Sequence, residues 1–460
     1  MKEHFASIFV GAVAVLLAAL APGLAQGGVS RQVTPNGHVY WMFPIEEAAR
    51  TAVAIDWSGG LTMLPEGRET AARVGVNLML NGGAGGKTPD EIVADFQDLD
   101  AGSRLTVQPD HIRGFIVAPN QHLNTAANIA NQVIATPNLD ARWFARERKS
   151  LADQGLARAT NLFGIGWSVA HDTMFGDHPY RRFWALRPVE AIENLSLDDI
   201  VQWHAAAFTT EGMTITAAGS APVAAIGEAI DRALVGLPAS ATAALHEFPA
   251  ASIPAKTIVF HHPEASHSLI LAFGALPSGL TGSDLPLNLA VGVLGYGQQS
   301  RLFRSVRTGL RAAYGYRADY VDFTRGQRVL TMGGQVETAL LQESFDTTRD
   351  TYETFRTDGI SFVEFPIARR FYRQRIEDSL GKPADAAYLL MESRLNGHPE
   401  DDLPTLHNRI GALDRGAVNT FIAQSFPPFD AMLKIVVTPD PDAIAGDCVI
   451  TSFDGLRSCF

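Results

Sequence analysis

The pattern of apolar and polar positions repeats along the chain. Val39-Tyr-Trp-Met-Phe-Pro44 and Thr257-Ile-Val-Phe-His-His-Pro263 both read as strands that stop at a proline. Ala54-Ile-Asp-Trp57 and Leu269-Ile-Leu-Ala-Phe273 follow them as second strands, and residues 71–80 and 285–294 then carry the spacing of helices. The later parts agree more closely. Gly176-Asp-His-Pro179, Ile192, Leu195, Ile200, Trp203, Phe208 and the strand opened by Met213 recur as Asn396-Gly-His-Pro399, Ile410, Leu413, Val418, Phe421, Phe426 and the strand opened by Met432. From Ile192 to Phe208 the spacing between counterparts is a constant 218 residues. This duplication predicts two homologous α+β halves, 28–236 and 257–460, joined by an Ala- and Pro-rich linker over 237–256. In each half strands come first, helices follow and strands return. That order predicts a mixed or antiparallel sheet with helices packed on one face.

Composition adds compartment and excludes some partners. The 460 residues are 46% hydrophobic and 19% charged, enough for large cores. A net charge of −12 and the lack of any Lys/Arg block argue against nucleic acid as a partner. The start, with Lys2 and Glu3, an apolar run over 8–20, Pro22 and Gly23-Leu24-Ala25, reads as a signal peptide over 1–25. The alternative is an uncleaved anchor, although the run is short for a bilayer span. The expectation is a periplasmic or otherwise exported protein with no stable membrane insertion after cleavage. The only cysteines, Cys448 and Cys459, are either a disulfide, which export permits, or two free thiols.

Local chemical motifs are sparse. The thirteen histidines form neither H-E-x-x-H nor H-x-x-E-H. His261, His262, Glu264 and His267 fall in a strand-to-strand turn, where solvated polar residues are expected. Asn81-Gly-Gly-Ala-Gly-Gly-Lys87-Thr88 lacks the first glycine of a phosphate loop and follows a helix, so it reads as a helix end and loop. Thr88-Pro-Asp-Glu91 opens the next helix. No G-x-S-x-G elbow is present.

Taken in order, Thr34-Pro-Asn-Gly37, residues 70–80, 143–151 and 176–180, and Ser300-Arg-Leu-Phe with Arg307 and Ala313-Tyr314 form a series that resembles the insulinase (pitrilysin, inverzincin) family of zinc peptidases, in its processing-peptidase-like branch. Thr34-Pro-Asn-Gly37 resembles the family's T-L-x-N-G opening, and Thr70-Ala-Ala-Arg-Val-Gly-Val-Asn-Leu-Met-Leu80 stands where its T-G-L-A-H-L-L-E-H-M helix belongs. Trp143-Phe-Ala-Arg-Glu-Arg-Lys-Ser-Leu151 is similar to F-x-x-E-R-x-x-x-L, and Gly176-Asp-His-Pro-Tyr180 to its H-P-Y segment. Ser300-Arg-Leu-Phe-Arg-Ser-Val-Arg307 with Ala313-Tyr314 is similar to S-R-L-F-x-x-x-R…A-Y.

The resemblance implies that Val74 and Leu78 stand at the two histidine ligands, Asn77 at the general-base glutamate and Gln154 at the third ligand. None of these can bind Zn²⁺ or activate its water. It also implies that Arg307 and Tyr314 face substrate as donors to a developing oxyanion. Without it, Arg307 reads as a surface charge and Tyr314 as a strand core residue. The implied function is that of a non-catalytic subunit of an exported heterodimer that cleaves peptides, with zinc carried only by the partner. The alternative is a metal-free scaffold or peptide-binding protein.

Overall fold

A computed structural model describes residues 28–61, 64, 68, 70–178, 180–181, 192–240, 249–281 and 284–460. The expected signal segment, residues 1–25, lies outside the described residues. Among the described residues no helix is long and apolar enough to cross a membrane.

The structure contains two six-stranded mixed sheets of matching topology. The first has the order β1-β2-β6-β3-β5-β4, built from Ser30–Val33 (β1), Val39–Pro44 (β2), Arg50–Ser58 (β3), Gly102–Val107 (β4), His111–Pro119 (β5) and Thr214–Gly219 (β6). The second has the order β12-β7-β11-β8-β10-β9, from Thr257–His261 (β7), Ser268–Leu276 (β8), Arg317–Thr324 (β9), Gln327–Val336 (β10), Leu433–Thr438 (β11) and Cys448–Ile450 (β12). In both sheets the first long strand runs parallel to the returning strand, as β2 does to β6 and β7 to β11, and the other central pairings are antiparallel. The sheets differ at one edge. There β1 pairs antiparallel with β2, whereas β12 pairs parallel with β7.

The helices of the first half are Thr70–Asn81 (α1), Pro89–Asp98 (α2), Leu123–Ala135 (α3), Ala141–Arg158 (α4), Leu162–Phe175 (α5), Leu197–Ala207 (α6) and Val223–Leu234 (α7). Those of the second are Leu285–Gly295 (α8), Leu341–Asp358 (α9), Glu364–Leu380 (α10), Pro383–Leu395 (α11), Asp402–Gly411 (α12) and Arg415–Ser425 (α13). Local signals set their starts. Thr88 caps α2 and exchanges hydrogen bonds with Glu91 while Pro89 takes the first helical position, and Ser196 and Asp199 cap α6 in the same way. The repeat is visible in side chains. Trp203 meets Phe208 edge-on at 5.6 Å, and their counterparts Phe421 and Phe426 meet edge-on at 6.4 Å.

Each half's own helices cover one face of its sheet. The opposite face is covered by a helix from the other half. From α5, Ile165, Val169, Ala170, Met174 and Phe175 pack into a core with Leu269, Leu271 and Phe273 of β8 and Leu433, Ile435 and Val437 of β11. Reciprocally, Ala386, Ala387, Leu390 and Met391 of α11 pack on Phe43, Ala52, Ala54 and Ala218 of the first sheet. The central strands are therefore buried on both sides, and β3 and β8 read as near-continuous apolar runs. Small residues permit the close approach. A Cβ on Gly166 would lie 2.7 Å from a Leu269 methyl carbon, and Ala386 is its counterpart on α11. Trp167 meets Phe273 edge-on at 5.0 Å, and Thr216 Oγ1 donates to the Ala387 carbonyl at 2.9 Å.

A charged seam closes the same boundary. Asp56 of β3 accepts from Arg113 Nε (3.0 Å) and Nη2 (2.8 Å) and from Arg325 Nη2 of the β9–β10 turn (3.3 Å). Arg113 Nη1 also donates to Glu392 of α11, and its guanidinium lies 5.1 Å over the Tyr388 ring. Because the buried Asp56 and Arg113 satisfy each other, the seam avoids the cost of an unpaired charge.

Leu390 is fully buried in the core between α11 and the first sheet. Leu390→Ala is expected to cost about 2–5 kcal/mol and to lower one shared unfolding transition, followed by urea titration with circular dichroism and tryptophan fluorescence together. Independent melting of the two halves would contradict reciprocal support.

Candidate functional site

The four degenerate positions lie on α1 and α4, which pack against each other. Val74 and Leu78 are fully buried in the first-half core with Val76, Met79, Phe144 and Leu151. Helix α1 also beds against α6, where Gly75 leaves room for the Trp203 ring that a Cβ would strike at 2.2 Å. Asn77 and Gln154 are half-buried, and the Gln154 amide donates to Ser150 Oγ at 3.4 Å within its own helix. The buried acid of α4 is Glu147, whose carboxyl burial pushes up in pKa while the Asn81 side chain hydrogen-bonds it and pulls the other way.

These residues do not fit a zinc ion. Two of the four positions are hydrocarbon inside a packed core, and two are neutral amides. On α1, burial pushes the Arg73 guanidinium down to about 10, and the Arg158 guanidinium adds to this. Among the described residues no three His, Cys, Asp or Glu side chains are grouped to hold a metal. Of the second-half histidine cluster, His267 lies 2.9 Å from Ser266 Oγ and 3.5 Å from Glu337.

Arg307 and Tyr314 belong to a different wall. Arg307 sits in a π-helix, Phe303–Gly309, a rare geometry that concentrates at functional positions. It is half-buried, and its side chain makes no hydrogen bond or ion pair among the described residues. Tyr314 is 94% exposed, so it is not a strand core residue. Its neighbours hold the backbone. Ala313 bridges to Val336, and the buried Tyr316 hydroxyl shares a 2.8 Å hydrogen bond with Thr348 Oγ1. An unpaired guanidinium and a free phenol on a fixed backbone are donors available to a ligand. Cys448 and Cys459 are joined as a disulfide across Cα atoms 5.6 Å apart.

With this geometry in place, comparison with known proteins is informative. Residues 194–372 match the model of the peptidase M16 inactive domain. Over that stretch the chain is similar to the M16 (insulinase) family. The matched stretch runs from the turn before α6 into α10. It contains Arg307 and Tyr314 and excludes the four degenerate positions. No curated protein matches the chain. Solved structures share its fold over both halves. The peptidase M16 inactive domain from Pseudomonas fluorescens superposes with a TM-score of 0.77 at 17% identity, over 90% of this chain and 98% of that one. The periplasmic protease PqqL from Escherichia coli gives 0.76 at 13% identity, over 95% of this chain and 49% of that one, so this chain spans about half of PqqL. A chain of complex III2 from Candida albicans gives 0.70 at 13% identity, over 94% and 99%.

The raised carboxyl of Glu147 gives a test of the altered wall. In the folded protein its pKa lies above the unfolded value, so ionisation at neutral pH costs stability. Glu147→Gln is expected to raise the melting temperature at pH 7.5. The gain should shrink as pH falls through the folded pKa and vanish below the unfolded value of about 4.3. A gain that grows toward acid would contradict this environment.

Proposed function

We propose that this chain is the non-catalytic subunit of an exported two-chain zinc peptidase. A partner of the same family, carrying an intact H-x-x-E-H, holds the metal and activates the water. This chain binds no zinc of its own. It contributes half the wall of a chamber that admits peptides, together with Arg307 and Tyr314 to hydrogen-bond the substrate carbonyl as negative charge develops on it. The observation that carries the reading is the contrast between two walls: hydrocarbon fills the metal positions at Val74 and Leu78, while Arg307 and Tyr314 stand unpaired and accessible. Export rests on the leader-like residues 1–25, and similarity to a periplasmic protease supports it.

A second reading, a metal-free scaffold or peptide-binding protein without a proteolytic role, is favoured by similarity to a chain of complex III2. One experiment separates them. The purified chain is assayed for zinc and for peptide hydrolysis, alone and with an M16 partner encoded in a neighbouring reading frame. The expected result is no zinc and no activity alone, with hydrolysis by the mixture exceeding that of the partner. Arg307→Ala combined with Tyr314→Phe should lower the mixture's kcat by about 100-fold, the size of losing one oxyanion donor, while leaving the complex assembled. Stoichiometric zinc with activity in the lone chain would refute the proposal, and unchanged turnover in the double variant would favour the scaffold.

A further inference from the structure

Although the chain carries a net charge of −12, residues 285–318 contain five arginines and no Asp or Glu. The arginines are too widely spaced to stand out as a block in the sequence. The fold ties this stretch to an apolar surface through Arg301. Arg301 is neutralised, donating to both Glu364 carboxylate oxygens (2.9 and 2.6 Å) and to the Gly359 carbonyl (2.8 Å). The side chains of Arg304, Arg307, Arg311 and Arg317 form no hydrogen bond or ion pair among the described residues, and all but Arg307 are exposed. Arg304 lies three residues beyond Arg301, which grips the 359–364 segment.

That segment opens an apolar stripe. Phe362 is 82% and Val363 70% exposed, and Ile367 and Phe371 continue at four-residue spacing along α10, each more than half exposed. Arg370, also exposed and unpaired among the described residues, stands beside Ile367 and Phe371. Between α10 and the end of α12 runs an open groove of about 390 Å³, lined by Pro366, Ile367, Arg369, Arg370, Arg373 and Gly411. The stripe is not a requirement of the fold. Helix α4, the counterpart of α10 in the first half, exposes Leu156 as its one large aliphatic residue. Exposed apolar stripes of this kind mark interaction surfaces.

We propose that this surface docks an acidic peptide segment in which Asp or Glu alternates with aliphatic or aromatic side chains. The stripe supplies apolar area, the groove takes a side chain, and Arg304, Arg307, Arg311 and Arg370 supply the complementary charge. This rests on the reading that Arg307 and Tyr314 face substrate, and it names the substrate's chemistry. A concave groove suits a side chain better than a lipid surface. The acidity of the chain as a whole disfavours long polyanions.

The test uses the full chain without a partner and measures fluorescence anisotropy with four probes. These are a labelled peptide of repeated Glu-Glu-Leu-Phe, its Lys-Lys-Leu-Phe counterpart, a short single-stranded DNA, and vesicles of phosphatidylcholine with phosphatidylserine. The acidic peptide is expected to bind, with affinity falling on the order of tenfold as salt rises from low to physiological strength. Arg304→Glu with Arg370→Glu should weaken it at least tenfold, and Phe371→Ala several-fold, with unchanged circular dichroism and melting because all three side chains are exposed. Equal or tighter binding of the lysine peptide, preference for DNA or vesicles, or salt-sensitive self-association abolished by the same double variant would overturn the proposal. If the acidic peptide binds but no partner is stimulated, this inference stands and the two-chain peptidase falls. If the mixture cleaves only basic peptides, the reverse holds.

Discussion

Everything else in this molecule depends on the reciprocal crossing of α5 and α11. A mixed sheet whose central strands are apolar on both faces must cover both. Each half has helices enough for one face, and the second is supplied by its sister. Each buried Leu, Ile, Phe or Met in such a layer contributes about 1.5–3 kcal/mol. Neither exchange helix is strongly amphipathic, since each is enclosed where it crosses, and glycine and alanine at matched positions set the depth of contact. The Asp56–Arg113–Glu392 seam then fixes the angle, because charges withdrawn from water tolerate little displacement from their partners.

That rigid frame presents two walls with opposite histories. On α1, Val74 and Leu78, the positions that the resemblance sets at metal ligands, lie in the core. Val74 and Leu78 now stabilise the packing of α1 on α4 and α6, so restoring donors there would require uncovering a core, not merely exchanging side chains. On the other wall the side chains of Arg307 and Tyr314 have been kept out of the core while the backbone around them is pinned by Val306, Ala313 and Tyr316.

Much of this was legible in the sequence, for reasons that differ from part to part. Strand and helix order followed from periodicity, and the duplication followed from aromatic positions such as Trp203 and Phe421, whose partners Phe208 and Phe426 recur at the same spacing. The capping box at Thr88 and Glu91 is purely local, hence readable. The crossing of helices was not. A one-face arrangement describes each half's own helices, but continuous apolar runs in β3 and β8 leave open what covers the second face, and that is decided by residues some 170 positions away. The Arg304–Arg370 surface was hidden for a similar reason: these residues are far apart along the chain, and the fold links their segments through Arg301, which reaches Glu364 at the start of α10.

The exchange also bears on how such a duplicated protein can change. The selective environment of Leu390 is written by Phe43, Ala52 and Ala218, and that of Gly166 by Leu269 and Leu271. A substitution in one copy is therefore answered in the other, and the two copies cannot diversify independently at these positions. Their surfaces can. Freed of packing duties, the outer face of one copy is able to acquire a new vocabulary of residues while its sister retains the old one.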